Sequence, residues 1–149
     1  WSSDVCSSDL RMQNVHKYVK SCEISVDAAC KDTYENKTRL GGKWDKLMSN
    51  LEYISNIPTL RNVTLSFVVQ NDNYTEMKDF YNLAGKIFGG KNKEWSVFYN
   101  RVVNWGHWSK EKFNSVDVGN PNHPEFKELM KVYKTLPQVT NIRHNLTIE

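Results

Sequence analysis

The feature that most constrains the fold is an alternation of apolar and polar residues that occurs three times, each run separated from the next by one amphipathic helical stripe. In the first run Cys22, Ile24 and Val26 fall on one side, and Glu23, Ser25 and Asp27 on the other. In the second, Val63 to Val69, the residues Val63, Leu65, Phe67 and Val69 share a side, with Thr64, Ser66 and Val68 opposite and Gln70 continuing that row. The third, Glu94 to Tyr99, sets Trp95, Val97 and Tyr99 against Ser96, Phe98 and Asn100. A period of two marks a strand whose faces meet different surroundings. Between the runs lie Trp44, Leu47, Met48, Leu51 and Ile54, and then Met77, Phe80, Tyr81, Ala84 and Phe88, both at helical spacing. The order β-α-β-α-β predicts parallel strands joined by helical crossovers, hence an α/β fold. A doubly wound sheet would be apolar on both faces. One polar face instead favours a curved, barrel-like sheet, although an α+β sandwich with one open sheet face gives the same pattern.

The punctuation fits these elements. Lys31 to Thr38 reads as a short helix ended by Gly41-Gly42, and Pro58 ends the next. Asn73 is the expected N-cap of the third helix, with Glu76 in the reciprocal capping position and Gly89-Gly90 as its close. Met12, Val15 and Val19 suggest the tail of a helix before the first strand. Lys110 to Val118 has little periodicity. Phe126, Leu129, Met130 and Tyr133 form a last helical stripe up to Pro137, and 139–149 is open between a strand and a tail.

With 149 residues, 39% hydrophobic and 25% charged, the chain suits one globular domain. No apolar run approaches the roughly 20 residues of a membrane span, so neither a membrane partner nor any location but the cytoplasm is expected. The net charge of +3 comes from scattered basic residues, which argues against nucleic-acid binding. Residues 1–10, with the near-repeat Ser2-Ser3-Asp4 and Ser7-Ser8-Asp9, look foreign to the rest of the chain. They resemble translated sequencing-adapter read-through on a metagenomic gene fragment, and are set aside from the domain at 11–149. They have neither the basic nor the apolar region of a secretory signal. The four Asn-x-Thr sequons at Asn36, Asn62, Asn73 and Asn145 therefore read as chance matches.

Of the three cysteines, Cys22 and Cys30 lie in the domain at a spacing that fits no zinc or iron–sulfur pattern, and both are expected to be small buried side chains. His16, His107, His123 and His144 have no ligand spacing, so no metal ligand or catalytic residue is assigned. No Rossmann fingerprint, P-loop, nucleophile elbow or zincin motif occurs. The more specific set is Ser25, Asp27 and Arg39. At the C-terminal end of a parallel barrel strand, Ser25 and Asp27 would face a ligand. Arg39 follows on the next loop, where its guanidinium could clamp a carboxylate. The plainer alternative has Asp27 capping the next helix and Arg39 paired with a surface acid.

An ordered series of short motifs resembles the C-terminal half of the radical S-adenosylmethionine enzymes. It runs Ile24-Ser25-Val26-Asp27-Ala28, Tyr34-Glu35, Arg39-Leu40-Gly41-Gly42-Lys43-Trp44 and Asn50-Leu51, then Phe67 to Asn73, Glu76 to Phe80, Asn104-Trp105-Gly106 and His123-Pro124. The series spans nearly all of Val15 to Tyr133 and is most similar to the branch with a twitch or SPASM-type extension. The resemblance implies a partial (β/α)6 TIM barrel, of which this chain would supply the fourth to sixth strands and a C-terminal helix. It further implies reductive cleavage of S-adenosylmethionine at a [4Fe–4S] cluster. The resulting 5′-deoxyadenosyl radical would take hydrogen from a small-molecule or peptide substrate, with a reductase as electron donor.

The family's cluster motif CxxxCxxC does not occur here, so the resemblance implies a truncated enzyme that is itself inactive. By the same resemblance Ser25 and Arg39 would contact the cofactor's ribose and methionine portions. Asp27, Gln70 and Asn73 would sit on strand ends nearby, and His107, where a small polar residue is expected, receives no role. The rival expectation is a stand-alone α/β module that binds a small polar ligand without catalysis.

Overall fold

The computed structural model describes residues 18–146. Residues 1–10, with Cys6, as well as His16 and most of the expected helix tail, lie outside them. The strands are β1 (Ser21–Ser25), β2 (Asn62–Val69), β3 (Glu94–Arg101) and β4 (Ile142–His144), in one four-stranded sheet of order β1-β2-β3-β4. Every adjacent pair is parallel. The protein is therefore α/β, and among its described residues no helix is long and apolar enough to cross a membrane. The helices are α1 (Lys31–Thr33), α2 (Trp44–Ser55), α3 (Met77–Phe88), α4 (Lys110–Val116) and α5 (Phe126–Lys134).

The apolar row of the sheet makes the core. Val63, Leu65, Phe67, Val69, Val97 and Tyr99 are buried under Leu47, Leu51 and Ile54 of α2 and Met77, Phe80, Ala84 and Phe88 of α3. Phe67, Phe80 and Tyr99 meet edge to face or tilted, with centroids 4.8 to 6.2 Å apart. Tyr99 carries a hydroxyl into this core and satisfies it by donating to Met77 O at 2.6 Å. Burial pushes that phenol well above the ordinary tyrosine range.

Register places the other row on one continuous face. Ser25 lies beside Ser66, and Ser66 beside Phe98; Glu23 lies beside Thr64, and Thr64 beside Ser96. Residues in register on parallel strands project to the same side, so Ser25, Ser66 and Ser96 share the more hydrophilic side of the sheet. Thr64 and Ser96 hydroxyls are 3.0 Å apart, and Asn100 Nδ2 donates to Ser66 Oγ at 2.7 Å.

The structure departs from three local expectations in these elements. The helix begun at Lys31 does not stay α-helical but widens into a π turn over Tyr34–Thr38, closed by Arg39 N donating to Tyr34 O at 2.9 Å. Cys30 is exposed rather than buried; only Cys22 packs partly against the core. Lys110–Val116 is helical despite its weak periodicity, because Ser109 Oγ accepts from Lys112 N at 3.2 Å and Val116 alone is buried. The open C-terminal segment supplies β4, parallel to β3.

Gly42 shows how tightly the loop after the π turn is closed. A Cβ there would lie 2.7 Å from the Tyr34 ring and 2.8 Å from Arg39 O. Tyr34 is 1% exposed and cannot yield. Gly42→Ala is therefore expected to cost about 2 kcal/mol in urea unfolding, the usual scale of overpacking. An unchanged midpoint would contradict the packing described.

Candidate functional site

The C-terminal ends of β1 and β2 are joined by a knot of polar side chains. After Ser25 the chain leaves the sheet. Val26 N still donates to Ser66 O at 3.0 Å, and Asp27 then turns to φ 64°, a conformation that suits Asp better than most residues. Its carboxylate Oδ1 accepts from Val68 N at 2.7 Å, so a side chain continues the ladder that the backbone has abandoned. The other oxygen, Oδ2, accepts from Arg39 Nη2 at 2.5 Å. The Asp27 side chain is 7% exposed and that of Arg39 33%. Burial pushes the Asp27 carboxyl above its ordinary value, against the lowering effects of the Arg39 charge and the Val68 N–H.

Asn73 is fully buried and locks the knot from the other side. Its Nδ2 donates to Asp27 O and to Val68 O, both at 2.9 Å, and its Oδ1 accepts from Gln70 N at 2.8 Å. It is thus not a side-chain N-cap, which corrects the capping-box expectation: the carbonyls that hold Nδ2 turn the amide so that Oδ1 accepts from the Gln70 N–H instead of one in the first helical turn. Glu76 is likewise drawn away from reciprocal capping. Its carboxylate accepts from Ala29 N at 2.6 Å and from the Thr33 hydroxyl, and faces Cys30 Sγ at 3.4 Å. Glu76→Ala strands the Ala29 N–H and should cost about 2 kcal/mol in unfolding free energy. Hydrogen exchange at Ala29 should accelerate with it; unchanged protection there would contradict the assignment.

Of the sequence-derived site residues, the structure brings Asp27, Arg39 and Asn73 into one hydrogen-bonded group, with Gln70 contributing its main-chain N–H. Neither half of the plainer alternative holds: Arg39 pairs with Asp27 itself rather than a surface acid, and no side-chain cap is made at the start of α1. Ser25 is exposed on the polar face next to Ser66. Glu76 was missed as a loop anchor, since its partners lie 43 and 47 residues away.

A second arginine–aspartate pair stands at the end of β3. Arg101 Nε and Nη2 donate to the two oxygens of Asp117 at 2.9 and 2.6 Å, and the aspartate is 1% exposed. Two histidines serve local structure: His123 Nδ1 accepts from Glu125 N at 3.1 Å, and His144 Nε2 lies 2.9 Å from the Tyr133 hydroxyl. His107 is exposed.

The arrangement defines an α/β protein whose parallel strands end in a buried carboxylate, a part-exposed guanidinium and an exposed hydroxyl. Such an edge can receive a small polar ligand. In comparisons with known proteins the chain matches no family model, no curated protein and no solved structure.

Proposed function

We propose that these residues are part of a cytoplasmic radical S-adenosylmethionine enzyme of the twitch or SPASM-type branch, forming three strands and the C-terminal helix of its partial TIM barrel. The observation that carries the reading is the sequential parallel order of β1, β2 and β3 with a largely hydrophilic row on one side. Ser25 and the Asp27–Arg39 pair then stand at the C-terminal ends, where open parallel sheets take their ligands. With an electron from a reduced cluster, bound S-adenosylmethionine would supply hydrogen abstraction from an organic substrate.

The residues of this chain divide the work of holding the cofactor. Asp27 anchors one edge of the Arg39 guanidinium, leaving its remaining N–H groups for the methionine carboxylate. Ser25 offers its hydroxyl to the polar portion of the nucleoside. Asn73 and the Gln70 main chain fix the loop that carries both, and so act as positioning rather than contact residues. The [4Fe–4S] cluster does not fit the described residues. No three His, Cys, Asp or Glu side chains among them converge, and Cys22 and Cys30 lie on a half-buried strand position and an exposed loop. In such an enzyme the cluster ligands, and the contact with a reductase, would belong to other residues.

Incubating the 149-residue chain with iron and sulfide, then recording its visible spectrum and its EPR spectrum after reduction with dithionite, tests this division. The expected result is no stable [4Fe–4S] signal, and a stoichiometric one would contradict it. The second reading, a stand-alone module binding a small polar ligand, draws on the Asp27–Arg39 pair being neutralised within the fold. Gene sequence separates the two. An in-frame CxxxCxxC upstream supports the enzyme, whereas a native start near Arg11 supports the module.

A further inference from the structure

We propose that the N-terminal half of the sheet's polar face binds a small molecule through its carboxylate, and that Arg143 receives it. This site lies away from the Asp27–Arg39 knot and does not depend on the function proposed above. Three arginines are fixed over the sheet by side-chain contacts. Arg39 and Arg101 are each neutralised by an aspartate that is at most 7% exposed. Arg143, on β4, makes no ion pair among the described residues, yet its guanidinium is held at two points. Nη2 donates to Thr64 Oγ1 at 3.2 Å, two strands away, and the guanidinium carbon lies 5.3 Å from the centroid of the Phe98 ring. Arg143 is exposed, and a guanidinium held at two points with no acid paired to it among the described residues is open to an anion.

The surroundings supply the rest. Beside the guanidinium lies an open recess of about 510 Å³ whose lining includes Thr64, Ser96, Asn141 and Thr140. That volume falls within the usual range for small-molecule sites. Thr64 and Ser96 have one hydrogen bond between them, so one of their two hydroxyl protons remains free for an acceptor. A guanidinium fork and one hydroxyl donor match the two oxygens of a carboxylate. A phosphate dianion would call for a second cation. Lys93 also lines the recess, but its ammonium donates to the carbonyls of Ile57 and Leu60, and Glu94 adds a negative charge.

The test is an NMR titration of the isotope-labelled 149-residue chain with sodium acetate, against sodium chloride and sodium phosphate at matched ionic strength. Acetate should shift the Arg143 Nε–H and the Ser96 and Thr64 amides saturably, with half-saturation on the order of 10 mM. Chloride should not. Arg143→Gln should weaken this by about tenfold or more. Thr64→Val, which keeps the charge but frees the guanidinium, should weaken it about threefold. Three results would overturn the proposal: acetate shifts that are linear and equal to those with chloride, phosphate binding about tenfold tighter than acetate, or unchanged saturation at Ser96 in folded Arg143→Gln.

Discussion

Asp27→Ala should lower the free energy of unfolding by about 3–5 kcal/mol, because it leaves both the Val68 N–H and the Arg39 guanidinium without their acceptor. Alanine also tolerates the positive φ of this position less well than aspartate does. Asp27→Asn keeps the turn and an acceptor for Val68 while removing the charge, and should cost only about 1–2 kcal/mol. Chemical denaturation of the two variants measures the difference. Equal losses would contradict a contribution from the Val68 bond and the turn.

The pH dependence has a definite sign. Burial holds the folded-state pKa of Asp27 above its ordinary value, so the folded protein binds this proton more tightly than the unfolded chain. The stability associated with Asp27 is therefore greatest below the ordinary aspartate range and declines as pH rises through the raised value. Arg39→Ala removes the largest opposing influence and pushes the carboxyl further up. Its destabilisation should be greater at pH 7 than at pH 4. A larger deficit at pH 4 would contradict the pairing of Arg39 with an ionised Asp27.

Asn73→Asp should cost about 4 kcal/mol or more at neutral pH, although it changes one atom type in a fully buried side chain. The two N–H donors that satisfy Asp27 O and Val68 O are lost, and a carboxylate is set close to that of Asp27. Acidification should return part of the loss, since a protonated carboxyl regains one donor. Asn73→Ala lacks the added charge and should be milder, at about 2–3 kcal/mol. If Asn73→Asp melts like the parent, Asn73 does not organise the strand ends.

How much of the fold and site was legible in the sequence depended on how local each cause is. The faces of β2 were readable because Val63, Leu65, Phe67 and Val69 meet a core that extends over several residues, and the α3 stripe reads for the same reason. β4 has only three residues, too few for an alternation to declare itself. α4 buries Val116 alone, so no stripe announces it. At the site, Ser25, Asp27 and Arg39 stood out as polar residues at a strand end and on the next loop. The π turn that carries Arg39 back to Asp27 has no signature in spacing.

Asn73 and Glu76 carried a local capping signal that was real in type and wrong in outcome. Their side chains answer long-range demands, from the Asp27 carbonyl and the Ala29 N–H, which local pattern does not encode. Arg143 was invisible for a related reason. Its position over Thr64 exists only once β2, β3 and β4 lie side by side.

The most direct test of the functional reading is backbone and arginine side-chain shift mapping with S-adenosylhomocysteine, a stable relative of the cofactor, at millimolar concentration. The account predicts saturable shifts at Ser25, at the Val68 amide and at the Arg39 Nε–H, reduced in Arg39→Lys. Shifts confined to the helical face of the sheet, or none at the ends of β1 and β2, would contradict it.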